Sequence, residues 1–149
     1  MKITEALVAE HTIFCIVFEQ IERVLPSTST QLEVQTLAGI VENLLKGHAE
    51  RETSLAYLAL DHALAQKGKL ERLYEDHHEL DQRLKAVGAA RTCAEGRRLL
   101  KAAIDSSREH FQMEEKSYFP LMEKVLQRET LERLGGFWTE RSPKAVTGK

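Results

Sequence analysis

The sequence predicts an all-α chain folded as an up-down-up-down four-helix bundle with a short C-terminal helix. Three observations carry that prediction. Apolar side chains recur three and four residues apart in long runs, as in Leu7, Phe14, Phe18, Ile21 and Leu25, or Leu70, Leu73, Leu80 and Leu84. Helix-punctuating residues separate the runs: Pro26, Gly68, Gly88, and Thr-x-x-Glu capping boxes at Thr30–Glu33 and Thr92–Glu95. Three prolines and eight glycines in 149 residues, with 30% charged side chains, suit long amphipathic helices joined by short loops.

The first helix is expected from Thr4 to Leu25 and is stopped by Pro26, whose ring disfavours helical geometry in the residue before it. Residues 27–30 form the first loop. The Thr30 box opens a second helix running to Gln66, with Lys67-Gly68-Lys69 as its stop. A third helix spans Leu70 to Val87 and is broken by Gly88. The fourth starts at the Thr92 box and reaches Pro120, which lacks a backbone donor and should kink or end it just past Glu114. An amphipathic stretch from Leu121 to Leu134 forms the terminal helix, stopped by Gly135-Gly136, with Phe137 and Trp138 packing back onto the bundle. One domain then covers residues 1–138 and a disordered tail covers 139–149. No internal repeat is evident.

One histidine of interest falls in each long helix: His11, His48, His77 and His110. Each stands inside an apolar series where a solvated residue is not expected. Two are followed by a carboxylate, giving His48-x-x-x-Glu52 and His110-x-x-x-Glu114. Four residues advance about 6 Å along a helix and roughly 40° around it, so each His and Glu share one face. A buried Glu is rare unless paired or metal-bound. Imidazole with carboxylate suits iron, zinc or manganese better than a thiolate-seeking metal. Six such donors on four inward faces could close around a pair of ions.

The levels agree for the first two helices. His11 lies roughly 21 Å and His48 roughly 27 Å from their shared loop, at about 1.5 Å per residue. The third helix fits less simply, because His77 is near its start while the second helix continues well past Glu52. Either the second helix overhangs or it frays before Gln66.

A net charge of −2 without any Lys/Arg block argues against a nucleic-acid-binding face. No run approaches the roughly 20 apolar residues of a membrane span, and the N-terminus lacks the apolar run of a secretory signal. Cys15 and Cys93 make neither a disulfide framework nor a CxxC site. A cytoplasmic protein with no nucleic-acid or membrane partner is expected.

The order lone His, His-x-x-x-Glu, His, His-x-x-x-Glu resembles the hemerythrin-like, or HHE cation-binding, family. So do the strings Asp76-His77-His78-Glu79-Leu80 and His110-Phe111-Gln112-Met113-Glu114-Glu115, the latter followed by Phe119-Pro120. The likeness runs from about residue 4 to about residue 126. It implies a non-haem di-iron centre: two Fe ions bridged by Glu52, Glu114 and an oxo or hydroxo group, with His11, His48, His77 and His110 each binding one ion. An open position would take oxygen, nitric oxide or peroxide. In the oxygen-carrying members a second His follows the third-helix His by four residues, and here that position is Asp81. His78 lies roughly 100° around the helix from His77 and is poorly placed to replace it. The set is more similar to the cluster-repair and sensory branches, and reversible oxygen carriage is not expected.

Glu115 is the alternative to Glu114 as a ligand, and symmetry with Glu52 favours Glu114. Cys15, one turn after His11, is either a thiol near the metal or a small buried hydrophobe. Tyr118 either donates a hydrogen bond near the site or fills the core. Tyr57 and Tyr74 are read as packing residues. His62 is read as bundle-end or surface, about 21 Å along the axis from His48. Two function classes follow. One is a binding, sensing or iron-handling protein, which as a sensor would need a separate protein partner because no signalling domain is appended. The other is an enzyme acting on peroxide or nitric oxide, or an iron donor to damaged iron–sulfur clusters, although the N-terminal cysteine-bearing domain of the repair proteins is absent.

Overall fold

The helix ends form where local hydrogen bonds place them. Thr30 Oγ1 accepts from the Glu33 N–H (3.2 Å), while the Glu33 carboxylate accepts from the N–H groups of Thr30 (2.9 Å) and Ser29 (2.7 Å). Thr92 Oγ1 accepts from the Glu95 N–H (3.1 Å), but the Glu95 carboxylate turns to the N–H of Arg91 (3.0 Å). Each such cap stabilises its helix by about 1 kcal/mol.

The computed structural model describes residues 1–65 and 68–141. Helix α1 spans Ile3–Val24 and closes in a 3-10 turn, Leu25–Ser27, that holds Pro26. Helix α2, Gln31–Arg51, passes through a π-helical segment, Glu52–Tyr57, into α3, Leu58–Ala63. Helix α4 is Glu71–Ala89. Helix α5, Cys93–Met113, passes through a second π-helical segment, Glu114–Tyr118, into α6, Phe119–Val125. Helix α7, Arg128–Arg141, packs on α1 and on the segment Glu52–Tyr57. No strand occurs among the described residues. The four rods α1, α2–α3, α4 and α5–α6 make an up-down-up-down bundle with α7 laid outside it.

Several boundaries differ from expectation. The second rod ends at Ala63, where Leu64 turns extended (φ −82°, ψ 131°), and Gly68 takes φ +81° in the return. Gln66 and Lys67 of the expected stop lie outside the described residues. The rod does overhang: Leu60, Leu64, Leu70 and Leu73 bury the extra length and return the chain so that His77 stands level with Glu52. Gly88 does not break α4, which runs on to Ala89.

Pro120 does not end the fourth rod. It sits in the first turn of α6, directly after the widened π turn, where its missing N–H is tolerated. The break comes at Leu126 (φ −99°, ψ 143°), so residues 121–125 belong to the bundle rather than to the terminal helix. Helix α7 continues through Gly135-Gly136 to Arg141. Gly135 serves a close crossing, since a Cβ there would collide with the Met1 carbonyl oxygen and lie 3.1 Å from Ile3 N. The expected tail therefore starts inside a helix, and its residues 142–149 lie outside those described.

The core is split in two. One cluster gathers Phe14, Phe18, Ile21, Val41, Leu100 and Ile104, among others. The second holds Ile3, Leu7, Leu60, Leu73, Met122 and, from α7, Leu131. Each large side chain so buried contributes about 1.5–3 kcal/mol. Between the two clusters lies a layer of buried polar residues: His11, His48, Glu52, His110 and Glu114.

Candidate metal centre

Each rod delivers its histidine to this layer, and the two carboxylates enter at the first residue of each π segment. The rings of His11 and His48 meet with their Nε2 atoms 3.0 Å apart. Glu52 spans the layer, with Oε1 3.0 Å from His48 Nε2 and Oε2 3.1 Å from His77 Nε2. Glu114 Oε2 lies midway, 3.5 Å from His11 Nε2 and 3.6 Å from His110 Nε2. The donors fall into two groups that share Glu52: His11, His48, Glu52 and Glu114, and Glu52, His77 and His110. Within each group the ligating atoms lie within 4.8 Å of one another. Among the described residues, Glu52 Oε1, Glu114 Oε2 and His110 Nε2 are buried without a hydrogen-bond partner. Orphaned buried polar atoms are costly, and a cation among them would satisfy all three. The layer is able to hold a metal.

The far nitrogens of the imidazoles are held from outside. His48 Nδ1 bonds Glu10 Oε2 (2.9 Å), and His11 Nδ1 bonds Glu115 Oε1 (2.8 Å). His110 Nδ1 reaches Asp76 Oδ2 at 3.4 Å. Such bonds fix tautomer and ring orientation, leaving Nε2 as the donor to a metal. Glu10 is itself anchored by Arg51 and by the Trp138 indole N–H (3.1 Å), with the Arg51 guanidinium 5.9 Å from the Trp138 ring centroid.

The titration of the layer reflects crowded charge. Burial and the Glu52 carboxylate push Glu114 well above the carboxylate range. Burial opposes ionisation of Glu52 too, but His48, His11 and His77 hold it well below that range. Burial opposes protonation of His48, yet Glu52 and Glu10 raise it to about 9. Burial lowers His110 to about 4. Without a cation the layer balances its charge with protons, which a metal would displace.

Tyr57, expected only to pack, belongs to the site. Its hydroxyl donates to Glu114 Oε1 and contacts Glu52 Oε2 (3.4 Å) and His77 Nε2 (3.2 Å). Burial and the two carboxylates raise its pKa. In a straight α-helix the fifth residue after Glu52 would sit roughly 140° away from it. The π turn brings Tyr57 back to the same face, as it does Phe119, five after Glu114, which stacks on His11 at 5.7 Å. Tyr74 packs edge-on against Tyr57 (5.6 Å between centroids), and Tyr118 packs half-buried on the second core cluster.

Glu115 acts on His11 from outside rather than joining either donor group. Asp81 pairs with Lys85 (2.6 Å), and His78 and His62 are exposed. Cys15 packs half-buried on the first core cluster, and burial pushes its thiol pKa up.

The two ends of the layer differ in access. Phe111 stacks on His11 at 4.0 Å and Phe14 stands edge-on to His48 at 5.2 Å, and both histidines are 2% exposed. His77 is 14% exposed and borders, with His110 and one edge of His48, a groove between α2 and α4.

A bundle whose buried His and Glu residues converge in this way belongs to the class of helical cation-binding domains. Residues 2–122 match the hemerythrin HHE cation-binding domain, and the chain belongs to that family. No curated protein and no solved structure matches it. Helix α7 lies beyond the matched residues. No helix among the described residues is long and apolar enough to cross a membrane.

Proposed function

We propose that the chain holds two non-haem iron ions, one at His11 and His48 and one at His77 and His110. Glu52 and Glu114 are shared between them, with an oxo or hydroxo group completing the bridge. The observation that carries this reading is Glu52, which turns one oxygen to each end and belongs to both donor groups. The centre binds a small ligand (oxygen, nitric oxide or peroxide) at the His77–His110 end, in sensing, stress response or iron handling. The greater exposure of His77 supports that choice of end. Asp81, at the position where the carriers have a further His, turns away to Lys85, which argues against reversible carriage.

Tyr57 favours a second reading, an enzyme acting on peroxide or nitric oxide. Its hydroxyl touches both carboxylates and His77, so a proton is available beside the open end. An iron donor to iron–sulfur clusters is the remaining variant, and the partial exposure of His77 supports it.

Elemental analysis of iron-supplied protein is expected to give close to two irons per chain. Fewer than about half an iron, or only zinc at about one per chain, contradicts the reading. Reduced protein exposed to oxygen and then to vacuum is expected not to regain its reduced optical spectrum. Full recovery would make it a carrier.

A further inference from the structure

The groove between α2 and α4 has a volume of about 660 Å³. A diatomic molecule needs little more than the roughly 30 Å³ of one water, whereas sites of roughly 300–1,000 Å³ take whole organic molecules. The floor is the open end of the layer, His77 and His110 beside His48. The walls are hydrocarbon: Leu45 and Ala49 from α2, Leu80 and Leu84 from α4, and Phe111 from α5. Helix α2 and the π-helical segment after it face α4 here with small side chains, Ala49, Thr53 and Ser54, and that leaves the space. At the rim carboxylates outnumber cations, which disfavours an anion. Glu42, Glu50 and Asp81 stand against Lys46, and Asp81 is bonded to Lys85. The floor is polar, because His77 is 14% exposed there and Glu52 Oε2 stands 3.1 Å behind it.

We propose that this groove binds an uncharged organic molecule, its apolar body against Leu45, Leu80, Leu84 and Phe111 and a single oxygen-bearing end directed at His77 and His110. The proposal rests on the reading of the metal centre above and deepens it, because it names the ligand class. A bare diatomic would leave the apolar walls wet. An aromatic or branched aliphatic body covers them and gains the transfer energy of that surface.

The test uses cumyl alcohol, one aromatic ring with one hydroxyl, titrated calorimetrically into the iron-loaded full chain, with iron content measured on the same sample. Saturable binding at about one per chain is expected. Ala49→Leu, whose added methyl groups occupy the groove, should weaken it about tenfold at unchanged iron content and helicity. Leu84→Ala, which removes a wall, should weaken it several-fold and keeps the test decisive should Ala49→Leu fail to fold. Benzoate, of similar size but charged, should bind about tenfold more weakly than cumyl alcohol. Absence of saturable binding, undiminished binding in the variants, or equal binding of benzoate overturns the proposal. Iron without cumyl alcohol binding removes the groove proposal and leaves the iron centre standing. Binding without iron does the reverse.

Discussion

At the His11–His48 end of the layer, both imidazoles are held through Nδ1 by carboxylates at 2.8 and 2.9 Å, and phenyl rings cover them. At the His77–His110 end, the one such contact among the described residues is Asp76 to His110 at 3.4 Å, and His77 is partly open. Yet the two ends follow one plan. The acid before each lone histidine, Glu10 or Asp76, bonds the histidine of the next rod's His-x-x-x-Glu pair. Each pair is followed, five residues after its Glu, by an aromatic brought inward by a π turn, Tyr57 or Phe119. The plan breaks at one position. Glu115, next after Glu114, holds His11, whereas the residue next after Glu52 is Thr53, which lines the groove. Helix α7 adds to the difference by tying Trp138 to Glu10 at the closed end. Openness here comes from side-chain choice on a near-symmetric frame, not from a gap in the fold.

Removing the shared group should have the largest effect. Glu52→Ala is expected to empty both ends, with metal affinity falling by more than the roughly 10–100-fold typical of outer residues. Glu114→Ala should approach that loss, and Glu115→Ala should be mild by comparison. Iron per chain after desalting measures all three. If Glu115→Ala empties the centre while Glu114→Ala retains iron, the assignment of the bridging carboxylate fails.

Next come the outer carboxylates. Glu10→Ala removes a 2.9 Å bond and a buried network with Arg51 and Trp138, so the closed end should lose about 10–100-fold in affinity. Asp76→Ala, losing a 3.4 Å contact, should cost severalfold at most. Equal losses in chelator competition would erase the contrast between the ends. Thr53→Glu sharpens the contrast from the other side. It supplies the open end with the carboxylate that Glu115 gives His11, and should slow both chelator extraction and azide binding severalfold. Faster extraction would show that Thr53 is not what leaves this end open.

The smallest effect belongs to an acid outside the layer. Arg108 and Lys101 hold Glu22 below the usual carboxylate range, although the site is only half-buried. A lowered folded pKa means that the pair stabilises the fold above the unfolded pKa, and that this is lost as pH falls through the folded one. Glu22→Gln should therefore cost about 0.5 kcal/mol in urea unfolding at pH 7, after screening, and progressively less on acidification. Iron content should not change. A growing cost at low pH would reverse the sign of the argument.

Much of this was legible in the sequence because it depends on helical period. Apolar spacing gave the four rods, Thr30 and Thr92 gave two helix starts, and the 1.5 Å rise placed His11 level with His48. The six donors His11, His48, Glu52, His77, His110 and Glu114 do converge. What escaped depends on departures from that period or on contacts between rods. Tyr57 reads as off the face until the turn widens after Glu52, and Pro120 reads as a stop until the same widening absorbs it. Glu10 and Asp76 bond across to neighbouring rods, so spacing along their own helices does not reveal them. The twofold plan is a handful of residues spread over two long stretches, too sparse to register as a repeat. Gly135 reads as a stop because a glycine that ends a helix and one that lets two helices touch look alike in sequence.

The most direct test of a two-ion centre with one closed and one open end is a crystal of the iron-loaded protein soaked in azide, with diffraction recorded across the iron absorption edge. Two anomalous peaks are expected on either side of Glu52, one beside His11 and His48 and one beside His77 and His110, with azide on the second. A single peak, or azide on the ion beside His11 and His48, would contradict the account.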